Sequence, residues 1–158
     1  MITPAAAIEA ARQGLRQLQL ADQPDIEIAI SEGNPGEPVH VARLDQSGQG
    51  YYLVPWQQAG GITAIVVIDA QTGEWTSMAT PAIPQHSLVI SKEELGRSIA
   101  AQSSLRVTAE PTLVWQPCRE TASPFLPLYM VPTDGGPIFV GMNGVLHRQL
   151  TPFSKGGG

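Results

Sequence analysis

The residues whose side chains suit catalysis or metal binding are few and scattered. The three histidines, His40, His86 and His147, lie far apart in the sequence, whereas a metal site needs two or more ligands at a helical or hairpin spacing. Ser87 follows His86, but adjacency in sequence does not make a nucleophile and its base. We therefore predict no catalytic residue, no metal site and no cofactor.

The remaining reactive side chains have structural interpretations. Cys118 is the single cysteine, so it cannot form an internal disulfide, and we interpret it as a small, half-buried hydrophobic residue. Asp69 and Glu74 flank a predicted turn, in which Asp69 accepts backbone N–H bonds and Gly73 supplies a positive φ. Carboxylates that face water lack the desolvation that acid–base catalysis exploits, so we predict turn residues and not a catalytic pair.

The composition predicts a folded protein and disfavours several kinds of partner. The 158 residues are 42% hydrophobic and 15% charged, which is enough apolar material for a packed core. The net charge is -5 and no run of Lys or Arg occurs, so we predict no nucleic-acid partner and no membrane surface. The first residues lack the pattern of an export signal, and the apolar run 64–68 is too short to span a bilayer. We therefore expect a cytoplasmic protein.

The aromatic residues are the best candidates for a binding surface, because such residues dominate interface energetics when they gather on one face. The alternative is that they fill the core or cover the ends of the sheet. Trp56 follows Pro55 at the edge of a predicted loop, so we expect it to be exposed. The predicted partner-binding residues are Tyr51, Trp56, Trp75, Trp115 and Tyr129.

A first helix is predicted near the start of the sequence. Thr3 can cap it, and Pro4 suits the first helical position because the N–H that proline lacks would have no partner there. An apolar stripe recurs at helical spacing from Ile8 to Leu18 through Ala11 and Leu15. The helix should end near residues 20–22, and Gly14 inside it costs about 1 kcal/mol relative to Ala.

A second helix is predicted over residues 92–102. Ser91 and Glu94 have the spacing of a capping box, and Ile90 and Leu95 can form the accompanying hydrophobic staple. Leu95 and Ile99 should then face the core.

Strands are predicted between and after these helices, from alternating or continuous apolar residues bounded by turn signals. The nearly continuous apolar run 62–68 predicts a central strand covered on both faces. Asn143-Gly144 predicts a tight hairpin turn. The predicted strands are 26–30, 39–41, 51–55, 62–68, 75–78, 105–108, 112–115, 128–131, 138–140 and 145–150.

A sequence repeat groups these elements into two sets. Tyr52-Leu53-Val54-Pro55 followed by Gly60-Gly61 reappears as Tyr129-Met130-Val131-Pro132 followed by Gly135-Gly136. We predict an α+β fold of two tandem helix-plus-antiparallel-sheet units, each sheet wrapping one helix. The first repeat is assigned to residues 1–85, a diverged second repeat to 86–150, and a flexible tail to 151–158.

The stretch 51–75 resembles the PepSY family and, more broadly, small cystatin-like folds. The residues that carry the resemblance are the Tyr52-Leu53-Val54-Pro55 motif, Gly60-Gly61, and the run 67–74 that ends in Asp69-Ala70-Gln71-Thr72-Gly73-Glu74. The second half departs from this pattern, with Asn143-Gly144 in place of the longer turn. The resemblance implies an α+β unit with a binding or inhibitory role, often directed at peptidases outside the cytoplasm.

Three functions remain open from the sequence. The first is a non-catalytic protein-binding module, an inhibitor or an accessory factor, whose partner is another protein. The second is a small-ligand binder or enzyme with a pocket between helix and curved sheet. The third is a structural protein that self-assembles into homo-oligomers through its sheet edge or its tail.

Overall fold

The computed structural model describes residues 1–20, 33–83 and 85–153. Within them the fold is α+β, with two helices and nine strands that pair mostly antiparallel, so the predicted class is confirmed. The helices are α1 (Pro4–Leu20) and α2 (Lys92–Gln102). The strands are β1 (Asn34–Pro35), β2 (Val39–Arg43), β3 (Gly50–Gln58), β4 (Gly61–Asp69), β5 (Trp75–Ala79), β6 (Thr112–Trp115), β7 (Leu128–Val131), β8 (Ile138–Gly141) and β9 (Leu146–His147).

Most predicted strands are present, but their lengths differ. β3 continues to Gln58, beyond the predicted end at residue 55. The strand predicted at 105–108 is wrong, because that stretch makes only a single bridge between Val107 and Thr133. The strand predicted at 145–150 shortens to Leu146–His147, and the one predicted at 26–30 lies outside the described residues.

The chain divides into two compact units. The first comprises Met1–His40 and Gln49–Leu88, and the second comprises Val41–Gly48 and Val89–Gly158. The boundary passes through β2, so residues 41–48 belong with the second unit although they precede most of the first unit's strands. The predicted division at residues 85 and 150 stays a prediction.

In the first unit, α1 packs on the sheet of β3, β4 and β5. Ala7, Ala11 and Leu15 are fully buried on the inner face of α1, and the small alanines allow the helix to lie close to the strands. β3 and β4 pair antiparallel from Tyr51↔Asp69 to Gln58↔Gly61. The residues that cover α1 from the two strands are Tyr52, Val54, Trp56, Ala64, Val66 and Ile68.

The other face of β4 is buried too, since Ile65 and Val67 are only 3% and 4% exposed. The prediction that residues 62–68 form a strand covered on both faces is therefore confirmed. A strand whose two faces are both buried has a nearly continuous apolar sequence.

In the second unit, α2 packs on β7, β8 and β9. Ser91 caps α2, since its Oγ accepts a 3.1 Å hydrogen bond from the Glu94 N–H, and Leu95 and Ile99 are buried as predicted. Their partners in the strands include Val131, Ile138 and Val140. A separate apolar cluster of Val114, Cys118 and Leu128 lies in the same unit.

The strand order of the second unit begins with a parallel pair. β2 pairs parallel with β6 at Ala42↔Val114 and Arg43↔Trp115, and β6 to β9 then follow as antiparallel neighbours. The Asn143-Gly144 turn joins β8 to β9, with Gly144 at a φ of 79° as the turn requires. In the described part of the chain, neither helix combines the length and apolarity needed to cross a bilayer.

Candidate functional site

The five predicted partner-binding aromatic residues are mostly packed inside their own units. Tyr51, Trp56 and Trp115 are 5%, 4% and 6% exposed, and Trp75 and Tyr129 are partly buried. The expectation that Trp56 is exposed is wrong. Because β3 continues past Pro55, Trp56 keeps the strand's alternation and faces the same cluster as Tyr52.

Trp75 covers the backbone of α1. A Cβ added to Gly14 would lie 2.1 Å from Cε3 of the Trp75 ring, so only glycine leaves room for the indole at this point of the helix. The ring also packs against the first unit's core. This contact explains why an unfavourable helix residue stands at position 14.

Trp115 is covered by a charged pair in the second unit. The guanidinium carbon of Arg43 lies 4.8 Å from the centroid of the Trp115 ring, a cation–π distance. Asp45 accepts two hydrogen bonds from Arg43, of 2.8 and 2.6 Å, and these bonds hold the pKa of the Asp45 carboxyl below its usual value. The pair fixes Arg43 over the ring.

Two tyrosine hydroxyls tie strands to helix N-termini. Tyr52 donates a 3.1 Å hydrogen bond to the carbonyl oxygen of Ile2, and Tyr129 donates one of 3.0 Å to the carbonyl oxygen of Ile90. Burial raises the pKa of Tyr129. Tyr129 thus has a structural contact, and the binding role of the five aromatic residues stays a prediction that their burial does not favour.

The titratable residues show no catalytic arrangement within the described part of the chain. The His40 ring meets the Tyr52 ring edge-on at 5.3 Å, and burial lowers the pKa of His40. Asp69 accepts 2.8 Å bonds from the Gln71 and Thr72 N–H groups, so its predicted turn role is confirmed. Burial alone would raise the pKa of the Asp69 carboxyl, but the hydrogen bonds outweigh burial and hold this pKa below its usual value.

Cys118 is more deeply buried than predicted, at 0% exposure instead of half. Burial raises the pKa of its thiol, which is opposite to the activation that a nucleophilic cysteine needs. Among the described residues, the buried polar side chains are Thr121 and Thr133, and no group of three His, Cys, Asp or Glu is placed to hold a metal ion.

A small cavity of about 270 Å³ lies in the second unit, between α2 and the turn from β8 to β9. Pockets for drug-sized ligands usually measure about 300 to 1,000 Å³ and enclose most of the ligand. Glu94, Arg97 and Asn143 in its lining are exposed, so this cavity does not surround a ligand. Its lining residues are Ile90, Glu94, Arg97, Ser98, Met142, Asn143 and Gly144.

The feature that best suits partner binding is the edge strand β5 of the first unit. In the described part of the chain β5 pairs with β4 alone, so one row of its backbone groups lacks a strand partner. Its five residues, Trp75 to Ala79, include no charged residue and no proline, two of the devices that prevent strand addition; a bulge is another. A register shift near Trp75 leaves Ser77 to Ala79 as the regular part of the edge.

The corresponding edge of the second unit is closed by a side chain. Gln102 of α2 donates from Nε2 to the Gly144 carbonyl at 2.7 Å, and its Oε1 accepts from the Leu146 N–H at 2.9 Å. The Leu146 N–H belongs to β9, and the Gly144 carbonyl belongs to the turn that precedes it. The side-chain amide therefore occupies them as a neighbouring peptide group would.

Sequence reasoning missed both edge features. The sequence does contain a signal that β5 is an edge strand. β5 is the return strand of a predicted hairpin, and Pro81 follows it where another strand would be expected. Nothing local indicates that Gln102 contacts Gly144, since the two are 42 residues apart.

Comparison of the chain with known proteins found no matching family model, no matching curated protein and no matching solved structure.

Proposed function

We propose that this chain is a non-catalytic protein-binding module, an inhibitor or an accessory factor, which takes an extended segment of another protein onto the edge of β5. The observation that carries the proposal is the uncharged, proline-free edge of β5, with β4 as its sole strand partner in the described residues. Strand addition gains affinity from main-chain hydrogen bonds and specificity from alternate side chains. In the described part of the chain, Gln102 occupies backbone groups at the β9 edge, which favours β5 over β9 as the strand that takes such a partner.

The chain also consists of two tandem copies of one helix-on-sheet unit. The helix starts support this proposal. Thr3 Oγ1 accepts from the Ala6 N–H at 3.2 Å, as Ser91 accepts from Glu94, and each cap follows an isoleucine. The first two buried helix residues stand four and eight positions after each cap: Ala7 and Ala11 in α1, Leu95 and Ile99 in α2.

Strand register supports the same proposal. In each unit, one tyrosine bonds the residue before the helix cap and also pairs across the sheet with an aliphatic residue. These pairs are Tyr52↔Ile68 and Tyr129↔Val140. The next inward pair is Val54↔Val66 in the first unit and Val131↔Ile138 in the second. An origin by duplication accounts for these matches more simply than chance does.

A PepSY-like or cystatin-like unit remains the proposed relationship for each copy, supported by the order of a helix followed by antiparallel strands. That relationship favours an inhibitory role at a peptidase. The pocket alternative has less support, because the cavity beside α2 lacks buried polar groups among its lining residues.

Affinity capture with an edge-blocked variant tests the proposal. Thr76→Lys places a charge at an exposed position of β5, which disfavours strand addition. Gln13→Lys makes the same change at an exposed position of α1 and serves as the control. Both variants are first checked for wild-type circular dichroism and melting.

We expect a protein from the source organism's extract that wild type and Gln13→Lys retain and Thr76→Lys loses, with β5 amides protected from hydrogen exchange in the purified complex. Equal retention by Thr76→Lys would show that β5 is not the binding site. Recovery of nothing except a second copy of the chain would favour self-assembly instead.

A further inference from the structure

A short segment after β9 lies over the second apolar cluster of the second unit. Leu150 packs against the cluster formed by Val114, Cys118 and Leu128. Two residues later, Pro152 forms an isolated antiparallel bridge with Cys118. Residues 149–153, which we call the strap, therefore run alongside the residues that lead from β6 to β7.

One carboxylate holds this strap. Glu120 Oε2 accepts a 2.9 Å hydrogen bond from the Thr151 N–H, and Oε1 accepts a 2.8 Å bond from the Thr151 hydroxyl. The Arg119 N–H adds a 3.0 Å bond to the Thr151 carbonyl oxygen. We call the paired contact of Glu120 with Thr151 the clasp. The Thr151 N–H is the main cause that lowers the pKa of Glu120 to about 2.

The strap has little else to keep it in place. Gln149, Thr151, Pro152 and Phe153 are exposed, and Leu150 alone in the strap is partly buried. Beneath it, Cys118 is 0% exposed. Segments with few buried apolar contacts open locally at a lower free energy than the core around them.

We infer that the strap is a releasable cover, held shut by the Glu120–Thr151 clasp, and that its opening exposes Cys118 and the apolar cluster while the second unit stays folded. In the closed state the strap bridges the backbone of Cys118 and packs Leu150 on the apolar cluster. It is independent of partner binding at β5.

Thiol reactivity measures the opening directly, because Cys118 is the single cysteine in the sequence. Besides burial, the Glu120 carboxylate raises the pKa of the Cys118 thiol, so its replacement alters thiol reactivity even without opening. The rate of modification by 5,5′-dithiobis(2-nitrobenzoic acid) is therefore measured across a range of pH in wild type, Glu120→Ala and Thr151→Val, and the rate constants of the thiolate are compared. Lys92→Ala is the control, since it breaks the exposed Lys92–Glu110 pair of the same unit and leaves the clasp intact. Denaturant unfolding of each variant gives its global stability.

We expect about a tenfold faster modification in Glu120→Ala, in keeping with the loss of charge-assisted hydrogen bonds. Thr151→Val should give a smaller increase, because it removes the hydroxyl and keeps the N–H, and Lys92→Ala should react like wild type. A wild-type rate in Glu120→Ala overturns the inference. An increase that merely equals the loss of global stability also overturns it, because Cys118 would then be reached by complete unfolding.

Discussion

The hydroxyl of Tyr129 donates a 3.0 Å hydrogen bond to the carbonyl oxygen of Ile90, the residue immediately before the N-cap of α2. Tyr52 makes the same contact with Ile2 before the cap of α1, at 3.1 Å. In each unit a strand residue thereby fixes where its helix begins. The bond joins residues 39 or 50 positions apart, so it stabilises tertiary structure and not the isolated helix.

Removing either hydroxyl should loosen the helix that it holds. We expect Tyr129→Phe and Tyr52→Phe each to lower the free energy of unfolding by about 1 kcal/mol, the usual net contribution of a hydrogen bond. Hydrogen exchange should accelerate in the first turn of α2 for Tyr129→Phe and of α1 for Tyr52→Phe. Each variant is the control for the other, and faster exchange in the wrong helix would contradict the assignment.

Replacing Gly14 in α1 and Gly96 in α2 by alanine should change the free energy of unfolding in opposite directions. A Cβ at Gly14 would meet the Trp75 ring at 2.1 Å, whereas one at Gly96 of α2 would meet nothing within 4 Å. We expect Gly14→Ala to destabilise the protein by about 1 to 3 kcal/mol through overpacking. Gly96→Ala should stabilise it by about 1 kcal/mol through helix propensity.

Denaturant unfolding of the two variants provides the measurement. If Gly14→Ala also stabilises the protein, the packing of Trp75 on α1 is wrong. A double variant, Gly14→Ala with Trp75→Leu, should recover part of the loss because the smaller side chain leaves room for the new methyl group.

Acid should open the clasp. The folded-state pKa of Glu120 is about 2, below the ordinary value of 4.5, because the carboxylate accepts bonds from Thr151. A lowered pKa contributes stability above the ordinary value, and that contribution is lost as the pH falls through the folded-state value. The clasp should therefore weaken between about pH 4.5 and pH 2.

The Thr151 amide provides the measurement, since its NMR shift should titrate with a midpoint near the pKa of about 2. Glu120→Gln should abolish that titration while the Asp69-bonded amides of Gln71 and Thr72 keep theirs. A midpoint near 4.5, the ordinary value for Glu, would show that Glu120 does not accept these bonds in solution.

Local signals predicted the helices well, and contacts between distant residues decided what the sequence missed. The caps at Thr3 and Ser91 depend on neighbouring backbone groups, so spacing alone identifies them. The burial of Trp56 depends on β4 continuing to pair beyond Pro55, which the sequence around Trp56 does not reveal. The cluster that contains Cys118 likewise receives residues distant in sequence, among them Ala42 and Leu150.

The edges of the two units show the same limit at the candidate site. The apolar and turn patterns predict that residues 75–78 form a strand, yet its place at an edge follows from the pairing of all the others. Gln102 stands at the end of a predicted helix, where a polar residue needs no explanation. Its contacts with Gly144 and Leu146 form only in the folded structure.

Replacing Gln102 should uncover the edge of the second unit. Gln102→Ala removes the bonds to the Gly144 carbonyl and from the Leu146 N–H, so we expect faster hydrogen exchange at Leu146 and a loss of about 1 kcal/mol of stability. Unpaired strand edges also promote association between chains. Analytical ultracentrifugation should therefore detect concentration-dependent self-association that wild type lacks.

Gln102→Glu distinguishes the contribution of the amide's acceptor oxygen from that of its donor nitrogen. A carboxylate can still accept from the Leu146 N–H, but it cannot donate to the carbonyl oxygens of Gly144 and Ser98, which Nε2 contacts in the native chain. Leu146 should then stay protected from exchange in Gln102→Glu although stability falls. Equal exchange at Leu146 in wild type and Gln102→Ala would mean that the amide does not close this edge, and the contrast with the β5 edge would be lost.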